Sequence, residues 1–130
     1  MKNYLLDSNL ILRVITGDNL VLTNLAKEVF NKAAIGGFKL TITLMIVAEC
    51  VYVLSSKSLY NLNRVKVVTA MQVIFNQKNV HLDEIAIVLE SLDLFSTTKL
   101  DFADCYLITK NRSLGFDGIK SFDKDLLKHL

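Results

Sequence analysis

Proline is absent from this chain of 130 residues, and cysteine and histidine occur only twice each, as Cys50, Cys105, His81 and His129. So few sulfur and imidazole donors exclude a disulfide framework and a structural zinc site. A reducing, intracellular setting is the expectation. Long apolar runs are missing too. The longest, residues 40–54, is about 15 residues long and carries Glu49, short of the ~20 that span a bilayer. Asp7 and Arg13 interrupt the apolar N-terminus, and no small-residue cleavage site follows, so it does not read as a signal peptide. Net charge is only +2. A nucleic-acid partner would therefore have to be held by local patches rather than by bulk charge. No repeat, low-complexity segment or linker breaks the chain. These absences predict one cytoplasmic domain over residues 1–130.

What is present is apolar: 52% of residues are hydrophobic and 22% charged. That balance belongs to a folded globular chain with some surface left for a partner or a second copy. Short β-like runs alternate with helical ones. Strands are expected at 3–6, 38–43, 79–82 and 119–122. Helices are expected between them: 8 to about 17, 19–34, 44–55, 58–77, 83–95 and 101–115, with a terminal helix or tail after 122. In the helix over 58–77, Leu62, Val65, Val68, Met71 and Phe75 form one apolar stripe. Four short strands separated by helices predict a parallel sheet with right-handed crossovers, covered on both faces.

Acids fall where such a sheet places its sites, beyond the carboxyl ends of the strands. Asp7 follows the first predicted strand and Asp123 the last. Asp101 and Asp104 open a helix and share a face, being three apart. Glu49 sits in "TLMIVAECVYVLSS" (43–56), with no Lys or Arg nearer than Lys57. A carboxylate in that setting needs a partner, a proton or a metal, so Glu49 is expected to be buried and functional. Each acid also has a plainer reading. Asp7, Asp101 and Asp123 would serve as helix caps, and Glu49 would sit on an exposed face. Converging carboxylates repel, and a divalent cation relieves them. Mg²⁺ or Mn²⁺ suits an all-oxygen set, which points to metal-assisted phosphodiester chemistry. An aspartyl phosphatase is disfavoured because no second Asp stands two residues after Asp7. Cys50 and Cys105 each follow a candidate acid and are expected to face the packing, about 100° round the helix. His81 is expected to fill core or surface.

Four segments resemble, in order, those of the PIN-domain ribonucleases, most closely the VapC-like toxins of toxin–antitoxin pairs. They are "LLDSN" (5–9), "VAECVYVL" (47–54), "LDFADCYLITK" (100–110) and "SFDKDL" (121–126). The resemblance implies an α/β fold, a three-layer α/β/α arrangement with a twisted parallel sheet of four to five strands. It implies a Mg²⁺- or Mn²⁺-dependent endoribonuclease cutting single-stranded RNA to a 5′-phosphate and a 3′-hydroxyl. Asp7, Glu49, Asp104 and Asp123 match the catalytic acids, with Asp7 and Asp104 as metal ligands. Glu49, Asp123 and Asp101 would assist directly or through water. Ser8 and Asn9 match the pair that steadies the first Asp and the phosphate. Arg13, Lys57, Lys110 and Arg112 are the first candidates for the RNA backbone, with Arg64, Lys66 and Lys120 behind them. A small antitoxin protein and a second copy of the chain are the implied partners. The departure is "LITKN" (107–111), where the family has small residues. A PIN-like RNA- or protein-binding module without turnover is the competing reading.

Overall fold

Asn3–Leu5 forms the first strand, β1, and the chain turns at Asp7 into helix α1, Ser8–Thr16. The computed structural model describes residues 1–130. Gly17 ends α1 in the left-handed conformation (φ 63°), donating its N–H to the carbonyl of Arg13 at 2.9 Å. A residue with a Cβ would pay for that conformation, which is why glycine stands there. Helix α2, Leu20–Ala34, starts at Asn19, whose Oδ1 accepts from the Leu22 N–H at 3.0 Å. Strand β2, Lys39–Ile42, leads into α3, Leu44–Ser55, and then α4, Arg64–Phe75. Thr43 and Asn63 cap these two helices through their side chains. Strand β3, Val80–Leu82, closes the set. The expected boundaries of β1, α1, α2, β2, α3 and β3 agree to within a few residues, but the helix predicted from 58 begins only at Arg64, because Asn63 is its cap.

The three strands form one parallel sheet in the order β1-β2-β3, with Asn3 opposite Lys39 and Leu40 opposite Val80. Parallel neighbours cannot be joined by a hairpin. Two helices therefore fill each crossover, α1 and α2 between β1 and β2, α3 and α4 between β2 and β3. Residues 1–83 make one compact unit and residues 84–130 a second. In the first unit α1 packs on α2 and α3, and α3 on α4. Ile11, Ile42, Val47, Leu54 and Met71 are fully buried there. The buried face of α4 runs through Val67, Val68, Met71, Ile74 and Phe75. The expected stripe was correct from Val68 onward, but Val65 lies exposed in the first turn. β1 is exposed along its length, with Leu5 77% accessible.

The second unit holds α5, Ile85–Thr97, packed on α6, Phe102–Leu114, and a short α7, Lys124–Lys128. Phe95 and Phe102 meet edge to face at 6.4 Å between ring centres. The strand expected at 119–122 is absent: these residues are irregular, and Phe122 is fully exposed. The segment pairs with no strand of the sheet, whose order is β1-β2-β3, and composition alone does not make a strand without a partner. The sheet therefore has three strands rather than the four to five expected. No helix is long and apolar enough to cross a membrane.

Candidate active site

Asp7 is the first acid to place. It stands two residues beyond β1 at the N-cap position of α1, with extended backbone (φ −82°, ψ 151°), yet its side chain makes no capping hydrogen bond. The carboxylate of an N-cap Asp is normally spent on the N–H groups of the first turn. Here it stays exposed and available. Ser8, beside it, is only 3% exposed, so its hydroxyl works from beneath the surface, whereas Asn9 is exposed.

Glu49 corrects an expectation. It is exposed, on the face of α3 that also carries Met45 and Tyr52, at 80% and 67% exposure. The steps of four and three residues put these on one side of the helix, while Val47, Cys50, Val51 and Leu54 take the core side. An apolar composition does not require that every face be buried, so no desolvation penalty forces Glu49 into a role. The inference that only function could keep a carboxylate there falls with it.

What ties Asp7 to Glu49 is Cys50. Its thiol is fully buried and donates weakly to the carbonyl of Ser8 at 4.0 Å. Its pKa is pushed up to about 12, first by burial, then by the negative charge of Glu49 and that of Asp7. Two carboxylates from α1 and α3 thus act on one thiol. The parallel register explains the meeting. Leu6 donates its N–H to the carbonyl of Thr41 at 2.9 Å, so α1 and α3 start at the same sheet edge. Cys105 is also buried, and both cysteines are free thiols.

The second unit carries the other acids. Asp101 caps α6, its Oδ1 accepting from the Asp104 N–H at 2.9 Å. Asp123 caps α7, accepting from Asp125 and Leu126, while its own N–H donates to the Ser121 hydroxyl at 2.9 Å. Both therefore use one carboxylate oxygen in the fold. Asp104 lies in the first turn of α6 and is partly buried. Its pKa is raised by that burial, by the charges of Asp101 and Asp123, and by a hydrogen bond to Asp101. The helix dipole favours a negative charge in this turn, yet burial first, and the neighbouring charges after it, outweigh that. Repulsion of this kind is what a hard divalent cation relieves. Asp7 and Glu49 are both exposed, and both act on the Cys50 thiol.

Residues 4–129 match the PIN domain family. The chain belongs to the PIN domain family. No curated protein and no solved structure matches it. PIN domains are typically nucleases, use divalent metals and bind RNA. The acids of this PIN domain are oxygen donors of the kind such a metal takes, although no group of three or more His, Cys, Asp or Glu side chains is assembled to hold an ion. Its cations are less free than the sequence suggests. Arg13 is paired with Asp18 at 2.6 Å, Lys110 with Glu84 at 3.4 Å, and Arg112 donates to the carbonyl of His129. Lys57 is exposed.

Two polar clusters escaped the sequence reading. In one, Asp18 accepts from Tyr60, Arg13 and Thr16, which together lower its pKa, the Tyr60 bond most. Tyr60 is 42 residues away along the chain, so no local pattern announced it. In the other, Glu84 accepts from Tyr106 at 2.7 Å and from Lys110, and Lys110 also donates to the Tyr106 oxygen at 2.9 Å. Tyr106 and Lys110 are four apart on α6, a spacing that could have revealed that half. His81 is exposed, 3.4 Å from Asp83.

Proposed function

We propose that this PIN domain is a Mg²⁺- or Mn²⁺-dependent endoribonuclease that cuts single-stranded RNA, and that it is the toxin of a VapC-like toxin–antitoxin pair. The observation that carries the reading is the carboxylate of Asp7. It occupies a capping position without capping and shares its surroundings with Glu49. In this reading Asp7 and Asp104 hold the metal, and Glu49 and Asp123 assist directly or through water. Asp101 orders the first turn of α6. Asn9 orients the scissile phosphate, and Ser8 steadies Asp7 from below. A divalent cation held by these acids would supply an ionisable water near neutral pH and positive charge for the phosphate. The chain's own contribution is carboxylates that act on one another's surroundings within each unit, a repulsion that a bound cation would relieve.

The apolar surface supports a protein partner. Leu20, Val21, Leu22 and Leu25 are exposed on α2, and a groove of about 350 Å³ runs between α1 and α2 past Asn9, Leu10 and Arg13. A short antitoxin segment fits that groove, and the remaining face suits a second copy. The test is cleavage of a single-stranded RNA with Mn²⁺. Hydrolysis that stops in EDTA, and in Asp7→Asn and Asp104→Asn proteins that melt normally, is expected. Full activity in excess EDTA refutes the metal role. Tight RNA binding without cleavage in any divalent metal makes the chain the non-cleaving module instead.

A further inference from the structure

Two aromatic rings of the second unit are left in water. Phe30, Phe75, Phe95 and Phe102 are buried, as large apolar side chains usually are. Phe116 is 58% exposed and Phe122 fully exposed. Neither hangs on a loose thread. Phe116 borders a pocket of about 300 Å³ with Leu107, Lys110, Ile119 and Lys120. Lys110 is fixed there by its bonds to Glu84 and to the Tyr106 oxygen. Phe122 is held by its neighbours on either side. The Ser121 hydroxyl accepts from the Asp123 N–H at 2.9 Å, and the Asp123 carboxylate accepts from the N–H groups of Asp125 and Leu126. The backbone is thus fixed while the ring projects outward. Each ring has cations beside it. Lys120 lines the Phe116 pocket and stands two residues before Phe122, and Lys124 stands two residues after it. Both lysines are exposed and, unlike Lys110, belong to no ion pair.

We infer that Phe116 and Phe122 are platforms on which two bases of single-stranded RNA stack, with Lys120 and Lys124 taking backbone phosphates, and that this surface accepts any base. The claim rests on the nuclease reading for its substrate class. Every base has a π-face, so a bare ring selects unpaired over paired RNA and not one base over another. Inside a duplex the bases already stack on each other and offer no free face. Six residues of chain separate the two rings, at most ~22 Å, within the few nucleotides that such grooves hold. Phe122 is next in the chain to Asp123, with Cα atoms ~3.8 Å apart. A base stacked on it therefore belongs to a nucleotide close to an acid that the nuclease reading places at the metal. Asp117, Asp123 and Asp125 share the stretch, so bulk attraction for RNA is weak and the rings must supply most of the affinity. A protein partner fits less well. It would have to cover Lys120 and Lys124 together with the rings, and protein interfaces are depleted in lysine.

The test uses the whole chain in EDTA, so that no RNA is cut, and reads fluorescence anisotropy. Wild type is expected to bind oligouridylate and oligoadenylate within about threefold of each other, and each at least ~5-fold tighter than an RNA duplex of equal length. Phe116→Ala and Phe122→Ala should each weaken the single strands by ~5-fold or more, the lower end for one stacked base. Both should melt within about 2 °C of wild type, since the side chains are exposed. Phe122→Trp should keep the binding and Phe122→Leu should lose it, because a stack needs a ring and not only apolar area. Lys120→Ala should flatten the slope of log K against log salt by ~0.7. The inference is overturned by no binding of single strands, by equal affinity for the duplex, by full binding in either alanine protein, or by Phe122→Leu binding as wild type does. It is overturned too if Phe122→Ala splits a wild-type dimer in sedimentation with RNA binding unchanged, which would make the surface a protein interface. Single strands bound as expected but never hydrolysed with Mn²⁺ would sink the nuclease reading and leave the platforms standing. Hydrolysis by wild type that both alanine proteins match at limiting RNA would do the reverse.

Discussion

Replacing Asp7 by Asn separates a helix cap from a working carboxylate. Asn and Asp are equally good at the N-cap, so the swap keeps the backbone preference and removes only the charge. Two small effects on stability oppose each other. Loss of the negative charge at the start of α1 forfeits ~0.3–1 kcal/mol of helix-dipole interaction, and relief of repulsion from Glu49 returns something of similar size. There is no capping hydrogen bond to lose. Asn63→Ala is the control, because Asn63 does cap, accepting from Lys66 at 2.9 Å. Its loss should cost ~1 kcal/mol. Unfolding entropy near 2.1 cal/mol/K per residue converts 1 kcal/mol to about 4 °C if all 130 residues melt together, or about 6 °C if residues 1–83 melt alone. Calorimetry should therefore find Asn63→Ala lower by about 4–6 °C and Asp7→Asn within about 2 °C of wild type. RNA hydrolysis with Mn²⁺ should be normal in the first and down at least ~100-fold in the second, as expected when transition-state charge loses its support. Asp7→Asn that cleaves normally, or that melts 8 °C low, shows Asp7 to be a structural residue and removes the argument built on it.

Asp104 gives a pH signature. Its folded pKa is raised, so its contribution to stability is complete below the unfolded value and is lost as pH rises through the folded one. Asp104→Asn should thus melt above wild type at pH 7 and converge with it near pH 3, below the ~3.9 of a free Asp; a lower melting point at pH 7 contradicts the crowding. Mn²⁺ at 100 times its Kd should stabilise wild type by ~2.7 kcal/mol, and Asp104→Asn should not respond; equal shifts in both would take Asp104 out of the metal site. Glu49→Gln should fold with unchanged or slightly higher stability, since its side chain is exposed and its repulsion with Asp7 is relieved, and lose hydrolysis; retained hydrolysis removes Glu49 from the mechanism. Cys50, with a buried thiol near pKa 12, should resist iodoacetamide at pH 8 in the native protein and react in urea, read by mass spectrometry. Ready labelling of native Cys50 would mean that its surroundings open easily.

Much of the fold was legible because local chemistry set it. Asn19, Thr43 and Asp101 start helices with side-chain bonds, and Gly17 ends one, all within a few residues of where pattern alone puts them, whereas Asn63 starts α4 six residues later than the pattern does. Helix α3 matched its expected span, residues 44–55. What pattern could not supply was pairing. "IKSF" has the composition of a strand but lies irregular and exposed, because a strand exists only through a neighbour, and composition names none. Exposure of Glu49 was likewise invisible. Its neighbours in sequence are apolar, but its neighbours on the helix face, Met45 and Tyr52, look outward. A run of apolar letters reports average burial and not the direction of one side chain.

The acids show why capping and function are hard to tell apart from sequence. Both want a carboxylate at the start of a helix following a strand or loop, since helix N-termini attract negative charge whatever its purpose. Asp101 and Asp123 do cap, and in each the capping bonds use Oδ1. That leaves Oδ2 available to bind a cation, directly or through water, so capping does not exclude a ligand role. It fixes the orientation of the free oxygen. A ligand so held has already lost its side-chain entropy. Asp7 is the opposite case, free at both oxygens. A metal bound to it must pay that ordering cost itself. Among these acids, replacing a cap by Ala should therefore reduce stability and metal affinity together, whereas replacing Asp7 should reduce affinity alone. Asp101→Ala that leaves both untouched would show that the cap neither orders α6 nor serves the metal.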